Sequence, residues 1–276
     1  PGVSALPDIS RDDTDRNRTS PFAFTVNKFE FRMVSSQASL ARPNMILNTI
    51  IADQLSEFAE RLEGEENITA AVTAIIRDVY NKHKRIIFNG DGYSEAWHEE
   101  AEKRGLPHYE KSVDVFPVFT AEKNVALFEK HGVLSRNELV ARTQILLKNY
   151  TLKNMIEAAT MVSMAEKEIR PAFIAYQGKL ARTAHDLKAV GVDSKLHVRL
   201  LNECNDKLLA FNTALDALKD AIVKRTETDE EKEARFIRDV VTVKMEVLRE
   251  TADALEMICD KESWPMPTYA EMLFKI

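Results

Sequence analysis

Residues 201–222 read LNECNDKLLAFNTALDALKDAI, and the spacing of their apolar side chains decides the fold class. Leu201, Leu208, Leu215 and Ile222 recur every seven residues, and Cys204, Phe211 and Leu218 recur in the same rhythm at an offset of three. On a helix of 3.6 residues per turn this lays one apolar stripe along a single side, the pattern of a coiled-coil seam. Downstream, Met245, Leu248, Ala252, Leu255 and Cys259 alternate spacings of three and four, and the polar, acidic stretch Thr226–Glu231 separates the two runs. The spacing predicts two long helices folded back on one another as an antiparallel hairpin. Such a stripe is packing surface, a structural arm or a contact between subunits, before it is a cofactor box.

The helical signal extends backwards to about residue 40. Only eight glycines punctuate the chain, and most segments carry apolar residues at helical spacing. Pro43 suits an early helical position, followed by Met45, Ile46, Ile50, Leu55, Phe58 and Leu62, with Gly64 as the stop. Asn67 is a cap for a helix striped by Ile68, Val72, Ile75, Ile76 and Val79. Arg85–Phe88 favours a strand and leads into the turn Asn89-Gly-Asp-Gly92. Ser94 caps a short helix ending at Gly105, and another runs from about 121 to 131. Ser135 and Glu138 have the spacing of a capping box, and Pro171 either kinks the helix begun there or starts a new one. Trp264-Pro-Met-Pro267 ends the second long helix, and the apolar tail from Tyr269 to Ile276 reads as docked.

Composition narrows the partners. With 45% hydrophobic and 30% charged residues the chain is globular, and 276 residues bury roughly three quarters of their unfolded surface. A net charge of −6 argues against broad contact with nucleic acid or an anionic membrane, so any anion site must be local. No apolar run reaches the roughly 18 residues of a membrane span. Cys204 and Cys259 sit in helical patterns with no paired motif, so a reducing cytoplasm is expected and the Asn-X-Thr sequons at Asn17, Asn67 and Asn149 read as chance. The chain starts at Pro1 without methionine, which reads either as an artificially trimmed chain or as a piece of something longer. His83, His98, His108, His131, His185 and His197 are scattered, without metal-ligand spacing, and Asp12, Asp13 and Asp15 suit a turn.

Chemistry concentrates in residues 15–32, DRNRTSPFAFTVNKFEFR. From Phe22 to Arg32 the residues alternate as in a strand, so Lys28, Glu30 and Arg32 share one side at spacings of about 7 Å and Phe29 and Phe31 take the other. One reading is a solvated face with weak ion pairs. The other is a phosphate and metal site, in which a carboxylate oxygen holds a divalent cation and the flanking cations neutralise phosphoryl oxygens. Arg16 and Arg18 add guanidinium forks that suit the same anion.

This string, together with RIIFNGDGYSEAWHEEAEKRG at 85–105 and WPMPTYAEMLF at 264–274, closely resembles the C-terminal part of type III glutamine synthetases. The resemblance implies a mainly α chain. Residues 1–35 would be the closing strand and loop of an α/β catalytic barrel, 36–134 a helical part of the catalytic domain, and 135–276 a helical C-terminal extension with the hairpin. It implies ATP-dependent formation of L-glutamine from L-glutamate and ammonia, with Mg2+ or Mn2+, and self-association into a large ring-type homo-oligomer. Glu30 resembles a ligand of one catalytic metal, and Arg32 the arginine facing glutamate and the transferred phosphoryl group. Arg18 resembles the arginine on the ATP phosphates, and Lys28 the basic residue two before the metal carboxylate. Ala23 stands where shorter glutamine synthetases carry a further arginine, and Val26 and Ser35 stand where glycine is usual. The remaining metal ligands and the glutamate-binding loop of such an enzyme lie upstream, so this chain alone is expected to be inactive. A non-enzymatic helical interaction or oligomerisation module derived from that family is the alternative reading.

Overall fold

A computed structural model describes residues 38–87, 94–225, 229–267 and 271–273, with the backbone alone of 22–25, 28–31 and 269–270. The described chain is mainly helical and divides into two compact units. One comprises Pro1–Ser112 and Ala121–Arg136, the other Val113–Thr120 and Asn137–Ile276.

The first unit contains β1 (Phe22–Thr25) and β2 (Lys28–Phe31), paired antiparallel. The single strand expected over 22–32 is therefore two short strands. Pairing gives the extended backbone partners for N–H and C=O groups that one isolated strand leaves open. Helix α1 (Ala41–Leu62) comes next, then α2 (Ile68–His83), where the Asn67 side chain accepts a hydrogen bond from the Ala70 N–H at 3.0 Å. Gly64, at φ +79°, takes the left-handed turn between them that a Cβ would strain. Arg61 of α1 donates to Asp78 of α2 at 2.7 Å.

The strand expected from Arg85 is not formed through Ile87: Lys84–Ile86 is a 3₁₀ turn, and Phe88–Tyr93 lie outside the described residues. The backbone carbonyls of Arg85 and Ile87 accept from the Arg104 guanidinium at 3.2 and 2.9 Å, so a side chain at the end of α3 (Glu95–Lys103) meets the need that a neighbouring strand would have met. After the single turn α4 (Ser112–Val115), helix α5 (Glu122–Lys130) is tied to α1 by Lys130 and His131, which reach one oxygen of Asp53 at 2.7 and 3.0 Å. The apolar stripes of α1 and α2 are only partly covered. Leu55, Ile76 and Tyr80 are 60%, 63% and 61% exposed, while Thr49 and Ile75 are the buried members.

In the second unit α6 (Arg136–Met164) runs through a π-helical turn (Ala165–Ile169) into α7 (Arg170–Ala189). Pro171 thus stands in the first turn of α7, so of the two expectations it starts a new α-helical segment, joined to α6 through the π-helical turn rather than a loop. Its ring removes one N–H and crowds the preceding turn, and the wider turn ahead of it, with the Arg170 N–H bonded to the Ala165 carbonyl, relaxes the path. Helix α8 (Lys195–Val223) packs on both α7 and the later α10, and so buries more than a two-column seam. Cys204, Phe211, Leu215 and Leu218 are buried, Leu208 and Ile222 pack against them, and Ala214 and Ala221 form a third column. Small side chains there let a second neighbour approach closely.

Asp229 caps α9 (Glu230–Phe236) by accepting from the Lys232 N–H at 2.9 Å. A second π-helical turn, Ile237–Val241, leads into α10 (Thr242–Glu256) and buries Ile237 and Val241 in the same core. Trp264 and Met266 close one side of that core. In the short α11 (Tyr269–Leu273) Glu271 lies 3.2 Å from Lys261, and Met272 and Leu273 are largely exposed; Phe274–Ile276, the rest of the tail expected to dock, lie outside the described residues. Replacing fully buried Phe211 by alanine is expected to destabilise the second unit by about 3–5 kcal/mol, read from urea unfolding followed by helical circular dichroism.

Candidate functional site

The local charge pattern begins in the β1–β2 ladder. Its register pairs Phe22 with Phe31 and Phe24 with Phe29, and pairs Glu30 with Ala23 and Lys28 with Thr25. Lys28 and Glu30 therefore have the same parity in a regular ladder, the backbone arrangement that the alternation requires. Arg18 and Arg32, with Val26 and Ser35, lie outside the described residues, as do the side chains of Lys28 and Glu30. By donor chemistry one carboxylate between cations suits a divalent ion that also binds phosphate. Such an ion takes six or more oxygens, and Glu30 offers one carboxylate, so further ligands must come from elsewhere.

The described residues hold charge networks that spacing did not reveal. Asp114 accepts from Arg235 at 3.0 Å and from Arg238. Arg238 also donates to both oxygens of Asp239, at 2.6 and 2.9 Å, and Arg235 to Glu231 at 2.8 Å. The contacts to Asp114 bridge more than a hundred residues of sequence, a span outside any local motif. Both guanidinium groups are engaged by carboxylates, so the cluster works as a clamp rather than an anion receptor. The hydrogen bond from Arg238 holds the Asp239 carboxyl below its ordinary range, and burial pushes the nearby Tyr150 hydroxyl up. Hydrogen bonds from Ser263 hold Asp260 low in the same way.

Burial raises the Cys204 thiol and pushes that of Cys259 up to about 11, which keeps both protonated and poorly nucleophilic at neutral pH. His98 and His108, far from any motif spacing, are brought together, with ring centroids 4.5 Å apart. His98 lies 3.7 Å from Glu95 and His108 lies 3.6 Å from Glu110. Among the described residues no group of three or more His, Cys, Asp or Glu side chains is arranged to hold a metal ion.

Helical content with a charged two-strand ladder is compatible with many proteins, and comparison with known sequences narrows the class. A family model described as the glutamine synthetase C-terminal domain matches residues 71–188. Over this middle region the chain is similar to the C-terminal domain of glutamine synthetases. It is 35% identical, over 99% of its own length, to a type-3 glutamine synthetase of Dictyostelium discoideum, covering 38% of that protein. It is 32% identical to a glutamine synthetase of Bacteroides fragilis, over 99% of this chain and 39% of that one. It is 33% identical to a glutamine synthetase of Butyrivibrio fibrisolvens, over 97% and 39%. The chain thus spans about two fifths of the length of the curated relatives it matches.

Asp114→Ala leaves two arginines without their shared acceptor, and should lower the melting temperature of the second unit by roughly 2–4 °C. In the unfolded chain Asp239 and Asp260 return to ordinary values near 3.8, above their folded values. Their stabilisation is therefore complete above that pH and is lost as pH falls through the folded values. An acid titration followed by circular dichroism should show this loss, reduced in Asp239→Asn and in high salt.

Proposed function

We propose that this chain is the C-terminal portion of a type-3 glutamate–ammonia ligase. The complete polypeptide would make L-glutamine from L-glutamate, ammonia and ATP by way of a γ-glutamyl phosphate. The observation that carries the proposal is similarity along 97–99% of the chain to glutamine synthetases, including the segment with Lys28 and Glu30. The extended, paired backbone of Lys28–Phe31 supports it, because a side that alternates acid and base needs that conformation.

A carboxylate is a poor electrophile and ATP is a polyanion, so bringing them together requires neutralising charge. A divalent ion, Mg2+ or Mn2+, supplies part of that neutralisation when bound. Glu30 contributes one oxygen ligand to it. Arg18 holds ATP phosphate oxygens, Lys28 adds positive charge beside them, and Arg32 positions glutamate and offsets charge on the transferring phosphoryl group. Since one carboxylate cannot complete the coordination shell, activity belongs to the longer polypeptide.

In this reading β1 and β2 complete an α/β barrel whose other strands lie outside the chain, and the exposed stripe of α1 and α2 is covered by the remaining polypeptide. Helices α8 and α10 form the antiparallel hairpin of a C-terminal extension, which takes part in a ring-type homo-oligomer. The cytoplasm is the compartment. In the complete protein, Glu30→Ala and Arg18→Ala should each lower glutamine formation by about 10²-fold or more, measured by coupled ADP release. Full turnover in both variants would refute the residue assignments.

A further inference from the structure

On the second unit a groove of about 760 Å³ lies along α6, its π-helical turn, α10, the chain before α11 and α11 itself. Its lining is mostly apolar and includes Met161, Met164, Met245, Met266 and Met272, five of the nine methionines in the sequence. Unbranched thioether side chains adapt to different apolar shapes, which suits a docking surface better than a rigid, single-ligand pocket. The charged groups on the lining are unbalanced: Glu168, Glu246, Asp253 and Glu256 against Arg249. Arg249 itself lies 3.8 Å from Asp253, and Glu168, Glu246 and Glu256 pair with no cation among the described residues. The π-helical turn bears Glu168 and Ile169 on the groove wall, and turns of this kind often mark functional positions.

We propose that this groove docks a basic amphipathic helix of a partner protein. A helix offering apolar anchors at i, i+4 and i+7 fits an adaptable apolar floor, and lysines or arginines beside those anchors meet the carboxylates on its edges. The acidic excess disfavours nucleotides, acidic peptides and anionic lipid. The volume is within the roughly 300–1,000 Å³ of a ligand-sized site, enough for several buried anchors.

The test uses the complete protein and a fluorescein-labelled, roughly 18-residue amidated peptide, with Leu and Trp anchors on one helical face and Lys elsewhere, beside a scrambled peptide of equal composition. Anisotropy should show saturable binding of the ordered peptide on the order of micromolar, weakening as salt rises. Charge reversal by Glu246→Lys with Glu256→Lys should weaken it by about 10-fold or more while leaving circular dichroism unchanged. Labelled methionine methyl signals of Met161, Met245 and Met272 should shift, and that of Met45 on α1 should not. The proposal is overturned by equal binding of the scrambled peptide, by full affinity in the charge-reversed variant, or by shifts confined to Met45. It is also overturned by absence of binding to the complete protein, which would mean that another part of the polypeptide fills the groove.

Discussion

The second unit depends on burying one side of α8 against two helices at once. Phe211, Leu215 and Leu218 of α8, the helix that packs on both α7 and α10, are fully buried, and their removal from water stabilises the unit. A two-stranded seam needs two apolar columns. Contact with a second neighbour needs a third, and Ala214 and Ala221 provide it without bulk. The rest of the core, from Phe173 to Trp264, is organised around this face.

The two π-helical turns show how long helices meet that demand. Each inserts extra backbone, rotates the helical segment beyond it, and buries residues at its own ends: Ala165 and Ile169 in one, Ile237 and Val241 in the other. Pro171 stands just after the first, where the missing N–H is absorbed by a widened turn rather than a break. Near the second, Asp114 draws Arg235 and Arg238 to one carboxylate across a long sequence separation. The first turn also lines the methionine-rich groove, so a feature that solves a packing problem shapes a surface as well.

The catalytic reading has a different physical character. A divalent ion and two substrate anions need several carboxylates and arginines around one point, more than a single ladder supplies. In the proposed reading this chain supplies Glu30 and its basic neighbours, and the longer polypeptide supplies the remainder. Exposed apolar residues on α1 and α2 are consistent with that partition, because a stripe of this kind is ordinarily covered.

Helix positions were legible because they depend on local chemistry: Asn67 and Ser94 cap with their own side chains, and Gly64 tolerates positive φ where other residues strain. The heptad residues named the buried side of α8, and the alternation from Phe22 to Arg32 indicated extended backbone. Local periodicity does not state how many neighbours a helix has. The third column of α8, the π-helical turns, the shared Asp114, the His98–His108 contact and the 3₁₀ turn at Lys84–Ile86 all depended on groups distant in sequence or on competition for backbone hydrogen bonds. Those were decided by tertiary structure, because only packing brings such groups within bonding distance.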